Sequence, residues 1–241
     1  MEIGVGGRPV YAIFQGYTEV ERMKVLSAVM NQVTAYRLWQ APFAAKKLAP
    51  VRRYNDIGKA RRVLDVGCGP GSNTEYFNQS DYLGLDWSQT YIDYARRRFS
   101  RDFIVTDVCS YQPPPGVLYD FILVNSFFHH IDDENSLRIL AKLRDLLTED
   151  GYIHILDLIM PDDPSIARTL ARWDRGDFPR PVEKWRAMFS VNFEPVVVEP
   201  YLLTALGVTL WKMVYFKGRA IKTDGRRQVA ELQDRGGNAP V

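Results

Sequence analysis

A short apolar run that three glycines break at once constrains this chain more than any other feature. The run is Val63–Val66, and Gly67, Gly69 and Gly71 follow it at alternate positions. Backbone N–H groups can approach a ligand closely in such a turn, because no Cβ intervenes. A helix is expected to open over 73–77. A strand that leads through a glycine turn into a helix is the first unit of a nucleotide-binding α/β sheet.

The spacing of the turn and one acidic residue narrow the choice of nucleotide. The spacing is G-x-G-x-G, so the third glycine of the dinucleotide fingerprint G-x-G-x-x-G is missing. Asp65 lies inside the strand just before the turn. A carboxylate there would repel a pyrophosphate, but it would suit a ligand that carries an ammonium group. S-adenosylmethionine has an amino acid end, a sulfonium and no phosphate.

The motif Asp65-x-Gly67-x-Gly69-x-Gly71 resembles the first motif of the class I S-adenosylmethionine-dependent methyltransferases. The resemblance rests on specific motifs over about residues 60–160 and on architecture alone over 160–217. It implies a Rossmann-like α/β fold with a mostly parallel seven-stranded sheet, a C-terminal antiparallel hairpin and an N-terminal helical cap. It also implies that Asp65 and the glycine turn, with Cys68 inside it, hold the amino acid end of S-adenosyl-L-methionine, which leaves as S-adenosyl-L-homocysteine.

Further polar residues fall at the ends of predicted strands, where open α/β sheets bind their ligands. The predicted strands are 63–66, 82–85, 103–105, 121–125 and 152–156. Asp86 lies about twenty residues past the turn and can accept both ribose hydroxyls, while Trp87 either lies against the adenine or packs. In the resembling family an acidic residue at the place of Asp107 accepts from the adenine amino group, and its neighbour, here Val108, packs on the ring. Asn125 can meet the methionine portion.

Two adjacent histidines follow the fourth predicted strand. The segment Phe127–Ile131 resembles the one that carries a histidine in small-molecule members of the family. Histidine titrates near neutral pH, so His129 or His130 can take a proton from the acceptor, and we favour His129. Asp157, at the end of the fifth strand, is expected to orient the imidazole. The alternative is that neither histidine is catalytic and both shape the loop; His154, inside the fifth strand, is expected to be structural.

The remaining chain divides into a cap, a domain and a tail. Residues 1–58 are predicted to form the helical cap, with helices over Tyr17–Val33 and Ala35–Leu48. Residues 59–217 are the cofactor-binding domain, and residues 218–241 are a flexible tail. Within the domain, helices are predicted over 89–99, with Ser88 as the cap, and over 165–173 and 182–189. A further helix is predicted to be capped by Asp132 or Asp133 and stopped by Gly151. Two β-rich runs, 195–203 and 209–216, form the hairpin.

Composition limits the partners. A formal charge of +2 over 241 residues is too small to argue for a nucleic acid or an anionic membrane surface. The segment Asn125–Phe128 is not the Asn-Pro-Pro-aromatic sequence of enzymes that methylate amino groups of nucleic acids. Cys68 and Cys109 suggest no disulfide framework. No secretory or membrane-spanning pattern is present, so we expect a cytoplasmic protein with a small-molecule partner, either a monomer or a homodimer.

The segment after the fifth strand leaves two readings open. Arg172, Arg175 and Arg180 either clamp an anionic substrate or form part of a solvated lid. Asp162 and Asp163 precede a proline and are typical of a helix start, so no metal is predicted.

The leading hypothesis is therefore transfer of a methyl group from S-adenosylmethionine to a small molecule, preferably at oxygen. One alternative is an NAD(P)-dependent oxidoreductase on a dinucleotide fold, against which Asp65 and the missing glycine both count. Another is a module that binds the cofactor without methyl transfer, because a fold and a cofactor site do not fix the reaction.

Overall fold

The computed structural model describes residues 43, 45–173 and 176–222, with the backbone alone for Trp173. Its helices over these residues are α1 (Ala49–Tyr54), α2 (Gln89–Arg98), α3 (Asp133–Asp145), α4 (Ile166–Trp173) and α5 (Val182–Phe189). The strands are β1 (Arg62–Val66), β2 (Asp81–Asp86), β3 (Asp102–Val105), β4 (Tyr119–Asn125), β5 (Leu147–Leu158), β6 (Phe193–Ala205) and β7 (Val208–Ala220). Short 3-10 helices lie at Ile57–Lys59, Thr74–Phe77 and Phe128–His130. The cap helices predicted over Tyr17–Val33 and Ala35–Leu48 lie wholly or largely outside the described residues, so the cap stays a prediction.

The strands form one sheet of order β3-β2-β1-β4-β5-β7-β6. The first five strands are parallel, β7 is antiparallel to β5, and β6 is antiparallel to β7. The predicted fold class, a mostly parallel seven-stranded sheet that ends in an antiparallel hairpin, is confirmed.

Two apolar clusters cover the two faces of the sheet, and alternate strand residues feed each one. On one face Leu64 and Ile122 pack with α3 and α5. On the other face Val63 and Leu123 pack with Ile92 of α2 and with residues of α1. The central strands are buried on both sides, which is why their sequences are continuously apolar. Full burial of such a side chain stabilises the fold by roughly 1.5–3 kcal/mol.

The helix expected after the glycine turn is a 3-10 helix, Thr74–Phe77. The side chains at the start of this 3-10 helix form hydrogen bonds to residues of the sheet. Asn73 donates to the carboxylate of Asp65, and the hydroxyl of Thr74 donates to Tyr82 at 3.2 Å. The backbone accordingly closes through i to i−3 bonds such as Tyr76 N–H to Asn73 O, at 3.1 Å.

Helix α3 has Asp132 as its N-cap, as predicted, but Gly151 does not end it. The helix ends at Asp145, because β4 captures the chain there: Tyr119 N–H donates to Leu146 O at 2.9 Å. Gly151 lies within β5, opposite an irregular register in β4.

The predicted hairpin is present and is longer than the sequence indicated. A two-residue turn, Leu206–Gly207, joins β6 to β7, and both residues have positive φ, 49° and 78°. Strand β7 continues through Ala220, because Phe193–Glu194 of β6 and Ile153 of β5 supply it with partners at its far end. The tail predicted from Gly218 therefore starts too early, and residues 223–241 lie outside the described part of the chain.

Cys68 and Cys109 are both free thiols. Over the residues described, no helix has the length and apolar character needed to cross a bilayer.

Candidate active site

The predicted site residues meet at one edge of the sheet. Asp86 and Asn125 end β2 and β4, and Asp157 lies one residue before the end of β5. The parallel register brings these ends together, since Asp86 pairs with Val105 and Asn125 with Leu156. The strand order reverses between β1 and β4, which is where ligands of open α/β sheets bind. A cavity of about 390 Å³ lies at the opposite edge, beside the amino ends of β2 and β3, and contains none of these residues.

The glycine turn has the backbone that only glycine adopts readily. Gly67, Gly69 and Gly71 have φ of 67°, 55° and 79°. A Cβ on Gly67 would come within 2.6 Å of the Phe127 ring, and one on Gly71 within 2.7 Å of the Phe99 ring. Among the described residues, none has an atom within 4 Å of a Cβ placed on Gly69. The described part of the chain therefore leaves the middle of the turn uncovered, which suits a ligand that lies directly on the backbone.

Asp65 is buried in β1, two residues before the first glycine of the turn. Its exposed fraction is 0%, and its carboxylate accepts from the Tyr82 hydroxyl at 2.8 Å and from the Asn73 amide at 3.3 Å and 3.4 Å. Burial raises its pKa to about 7, against the two hydrogen bonds, which lower it. The sequence predicted that this carboxylate helps to hold the amino acid end of the ligand. Its partners among the described residues are Tyr82 and Asn73.

Asp86 fixes the turn to the end of β2. One carboxylate oxygen accepts from Gly69 N–H at 2.9 Å and the other from Ser88 N–H at 2.8 Å. Burial raises its pKa. Each oxygen keeps acceptor capacity for a further hydroxyl. The neighbouring Trp87 is 72% exposed, so its ring face is open to a ligand.

Asp107 and Val108 follow the end of β3 and differ in exposure. Asp107 is exposed, and one of its oxygens accepts from Cys109 N–H at 2.8 Å. Val108 is buried in the larger core cluster. The structure thus places both residues at the predicted edge.

A chain of hydrogen bonds that the sequence did not reveal runs from the end of β4. The Asn125 amide donates to Asn73 at 3.3 Å, and the Ser126 hydroxyl donates to Asn125 at 3.2 Å. Lys47, from the segment before α1, donates to the Ser126 hydroxyl at 3.0 Å. Ser126 has φ of 55°, unusual for a non-glycine residue. No sequence signal could have found this contact, because Lys47 lies 79 residues away.

The predicted pair of His129 and Asp157 forms. Nδ1 of His129 lies 2.6 Å from Oδ1 of Asp157, and both side chains are buried. Asp157 also accepts from the backbone N–H groups of Phe127, Phe128 and Leu158, at 3.3, 2.8 and 2.7 Å. A carboxylate acceptor places the imidazole proton on Nδ1, which leaves Nε2 as the basic nitrogen. His130 is exposed and lies with its ring 4.0 Å from that of His129, so the structure brings His129 alone of the two to Asp157.

A buried arginine holds the segment that carries His129. Arg180 donates to Phe128 O at 3.0 Å and to Ile131 O at 2.6 Å, and it pairs with Asp133 at 2.7 Å. Its guanidinium lies over the Trp185 ring at 4.6 Å. Arg180 is therefore neither a substrate clamp nor part of a solvated lid. Arg172 is exposed, and Arg175 lies outside the described residues.

His154 lies inside β5, away from this edge. Its Nδ1 is 3.0 Å from the Tyr215 hydroxyl, and its ring stacks on Phe121 at 3.9 Å. Burial, and to a lesser extent Lys217, lowers its pKa well below the usual value. It is a neutral core side chain, as the sequence indicated.

The sheet order, the glycine turn after β1 and the polar residues at the strand ends define a Rossmann-like methyltransferase fold. Solved structures of the same fold include human N-acetylserotonin methyltransferase in complex with S-adenosylmethionine (TM-score 0.61, 13% identity, covering 82% of this chain and 57% of that one). Another is the N-methyltransferase NodS from Bradyrhizobium japonicum (TM-score 0.59, 15% identity, covering 75% and 98%).

Residues 63–151 match the family model described as "Methyltransferase domain". Curated relatives include a trans-aconitate 2-methyltransferase from Afipia carboxidovorans, 33% identical over 110 residues, which are 44% of this chain and 40% of the relative. One from Delftia acidovorans is 32% identical over 126 residues, 50% of this chain and 44% of the relative. The matches thus span less than half the length of these relatives.

A methyltransferase domain of the class I S-adenosylmethionine-dependent type is supported over residues 63–151 of this chain. The resemblance seen in the glycine motif is confirmed, and S-adenosylmethionine is the cofactor of the family. The oxidoreductase alternative is not favoured.

Proposed function

We propose that this protein transfers the methyl group of S-adenosylmethionine to an oxygen atom of a small-molecule acceptor. The matches to the relatives named for trans-aconitate span less than half the length of those relatives, so their acceptor is not carried over. We also propose that the protein is cytoplasmic and that it is either a monomer or a homodimer.

The cofactor half of the proposal rests on the glycine turn. The open backbone at Gly69, flanked by Gly67, Cys68 and Gly71, fits the amino acid end of the cofactor. Asp65 takes the role of a positioning residue, since it reaches this end through Asn73 and Asn125. We assign the ribose hydroxyls to the remaining acceptor capacity of Asp86. Trp87, Asp107 and Val108 then form the adenine end.

The chemical half rests on His129. When bound, S-adenosylmethionine supplies an electrophilic methyl group on a sulfonium. The acceptor oxygen would take this methyl group, with the sulfur leaving as S-adenosylhomocysteine, and Nε2 of His129 would accept the proton of that oxygen. Asp157 holds the imidazole by Nδ1 and stabilises its charged form. The observation that carries the proposal is this buried 2.6 Å pair at the same sheet edge as the open glycine turn.

The cofactor assignment is tested by calorimetric titration with S-adenosylhomocysteine, with NADH as the comparison ligand. We expect micromolar binding of the first and none of the second. Asp86→Asn should weaken binding at least about tenfold, because two charge-assisted acceptors are lost. Asp93→Asn is the matched control, because Asp93 lies in α2 and bonds Gln89 rather than the turn. Binding of NADH alone would refute the assignment.

The proton acceptor is tested by turnover on an acceptor found in a screen of hydroxyl, carboxyl and amine compounds. His129→Gln and Asp157→Asn should each slow turnover about a hundredfold or more while S-adenosylhomocysteine still binds. His130→Gln, the matched control, should keep nearly full turnover. Unchanged turnover in His129→Gln would contradict the role of His129 as the base, but it would leave the methyltransferase proposal standing. Tight cofactor binding with no methylated product in the whole screen would favour a binding module.

A further inference from the structure

Lys47 ends an unbroken line of hydrogen bonds that starts beneath the cofactor turn. In order, the line joins the Lys47 ammonium, the Ser126 hydroxyl, the Asn125 and Asn73 amides and the Asp65 carboxylate, through contacts of 3.0, 3.2, 3.3 and 3.3 Å. Each member donates toward Asp65. The ammonium is thus tied into the strand ends and does not lie on an unrelated surface.

The backbone around Lys47 fixes the direction of its side chain. The Tyr201 hydroxyl of β6 donates to Lys47 O at 3.0 Å. The adjacent Lys46 points elsewhere, to Thr204 O at 3.0 Å in an exposed contact. Two neighbouring lysines therefore have different surroundings, and Lys47 alone of the two reaches the active-site edge.

The chemistry of this edge favours an anionic acceptor. An ammonium is a donor-only group and recognises oxygen atoms that carry negative charge. Lys47 bonds the residue directly after Asn125, three positions before His129. Bound S-adenosylmethionine would bring its sulfonium, a second positive charge, to the same end of the sheet. Arg180, a buried cation near this edge, donates to three backbone carbonyls and to Asp133, which gives it a structural role. Lys47 is partly buried.

We propose that Lys47 is a specificity-determining residue that binds a carboxylate group on the methyl acceptor. This inference rests on the proposed function, since it concerns the acceptor of the same reaction. It assigns the substrate class as small organic acids, with the carboxylate held by Lys47 while the acceptor oxygen faces His129.

The test is calorimetry on protein saturated with S-adenosylhomocysteine. The probes are three acids, trans-aconitate, 4-hydroxybenzoate and 4-hydroxyphenylacetate, each beside its neutral amide. We expect at least one acid to bind with Kd below about 1 mM and about tenfold or more tighter than its amide. Lys47→Met should abolish that preference, and Lys47→Arg should restore part of it. Lys46→Met, which removes the same charge one residue away, should keep it.

S-adenosylhomocysteine binding is measured first on every variant, which shows that each one is folded. Failure of wild-type protein to bind S-adenosylhomocysteine overturns the proposed function. Retained S-adenosylhomocysteine binding with no preference for any of the acids overturns the assignment of Lys47 alone. The assignment is also overturned if Lys47→Met keeps the preference, or if Lys46→Met loses it equally.

Discussion

Two buried aspartates at one edge of the sheet have different roles because they have different neighbours. Asp157 accepts from three backbone N–H groups and from His129, so its carboxylate is fixed by donors that cannot move away. Within the part of the chain that the structure describes, Asp65 accepts only from the side chains of Tyr82 and Asn73. At the scale of the residue, the sequence names both carboxylates, and the donors around them decide what each one does.

The raised pKa of Asp65 predicts a pH-dependent cost to stability. Its pKa is about 7 in the folded chain against an ordinary value of 3.8. The unfolded chain therefore releases this proton first, so the free energy of unfolding falls as pH rises from about 4 to about 7 and the full cost remains above that. Asp65→Asn removes the cost and should be more stable than wild type above pH 7, by up to about 4 kcal/mol.

Urea denaturation between about pH 5 and pH 8 measures this difference. The difference between variant and wild type should grow with pH, and Asp163→Asn, an exposed aspartate, should show no such growth. A difference that is constant across the range would contradict the predicted ionisation.

Gly176 tests how tightly His129 is covered. A Cβ there would come within 2.6 Å of the carbonyl oxygen of His129 and would also meet its ring. Gly176→Ala should therefore destabilise the protein by about 1–3 kcal/mol, as measured by thermal or urea unfolding, and should reduce turnover. Gly58→Ala, whose new Cβ would have no neighbour closer than 3.4 Å, is the control. Equal stability of the two variants would show that the 176 loop does not press on His129.

At the scale of the element, the sequence predicted the start of a helix correctly where the helix forms its capping hydrogen bonds within itself. Ser88 and Asp132 cap α2 and α3 as predicted, because an N-cap needs only its own helix. The helix expected after the glycine turn is a 3-10 helix, because Asn73 and Thr74 bond to side chains of β1 and β2. The predicted end of α3 was wrong, since β4 captures the chain at Leu146.

The hairpin turn offers a stabilising substitution. Leu206 has φ of 49° and is fully exposed, so it bears the backbone cost of a left-handed residue without burying its side chain. Leu206→Asn should raise the free energy of unfolding by about 0.5–1 kcal/mol, because asparagine followed by glycine suits this two-residue turn. Thermal unfolding measures the change. Leu202→Asn, an exposed site within β6, should be neutral or destabilising, and an equal gain there would contradict the turn argument.

At the scale of the whole molecule, the strand order makes the site. The glycine turn after β1 and the polar residues after β4 are separated by more than fifty residues, yet β1 and β4 are neighbours in the sheet. Among the described residues, Gly69 at this reversal is uncovered, and Gly176 lies against one side of His129. A ligand that joins these parts is expected to stabilise the whole sheet.

S-adenosylhomocysteine should therefore raise the unfolding temperature. At about a hundred times its Kd, a ligand that binds the folded state alone adds about 2.7 kcal/mol. Scanning fluorimetry should show this shift for wild type and for Asp93→Asn, and a smaller one for Asp86→Asn at the same concentration. NADH should give no shift. Equal shifts of the unfolding temperature in both variants would contradict the assignment of Asp86 to the cofactor site.

The sequence by itself determined the alternation of strands and helices, the glycine turn and the acidic residues at strand ends. These follow from local rules: apolar period, the φ freedom of glycine and the direction of parallel strands. It also named His129 and Asp157, whose pairing needs only adjacent strand ends. The tertiary structure alone decided the burial of Asp65, the structural use of Arg180 and the approach of Lys47 to Ser126. Those outcomes depend on contacts between residues far apart in the chain, and no local pattern encodes which buried donor meets which acceptor.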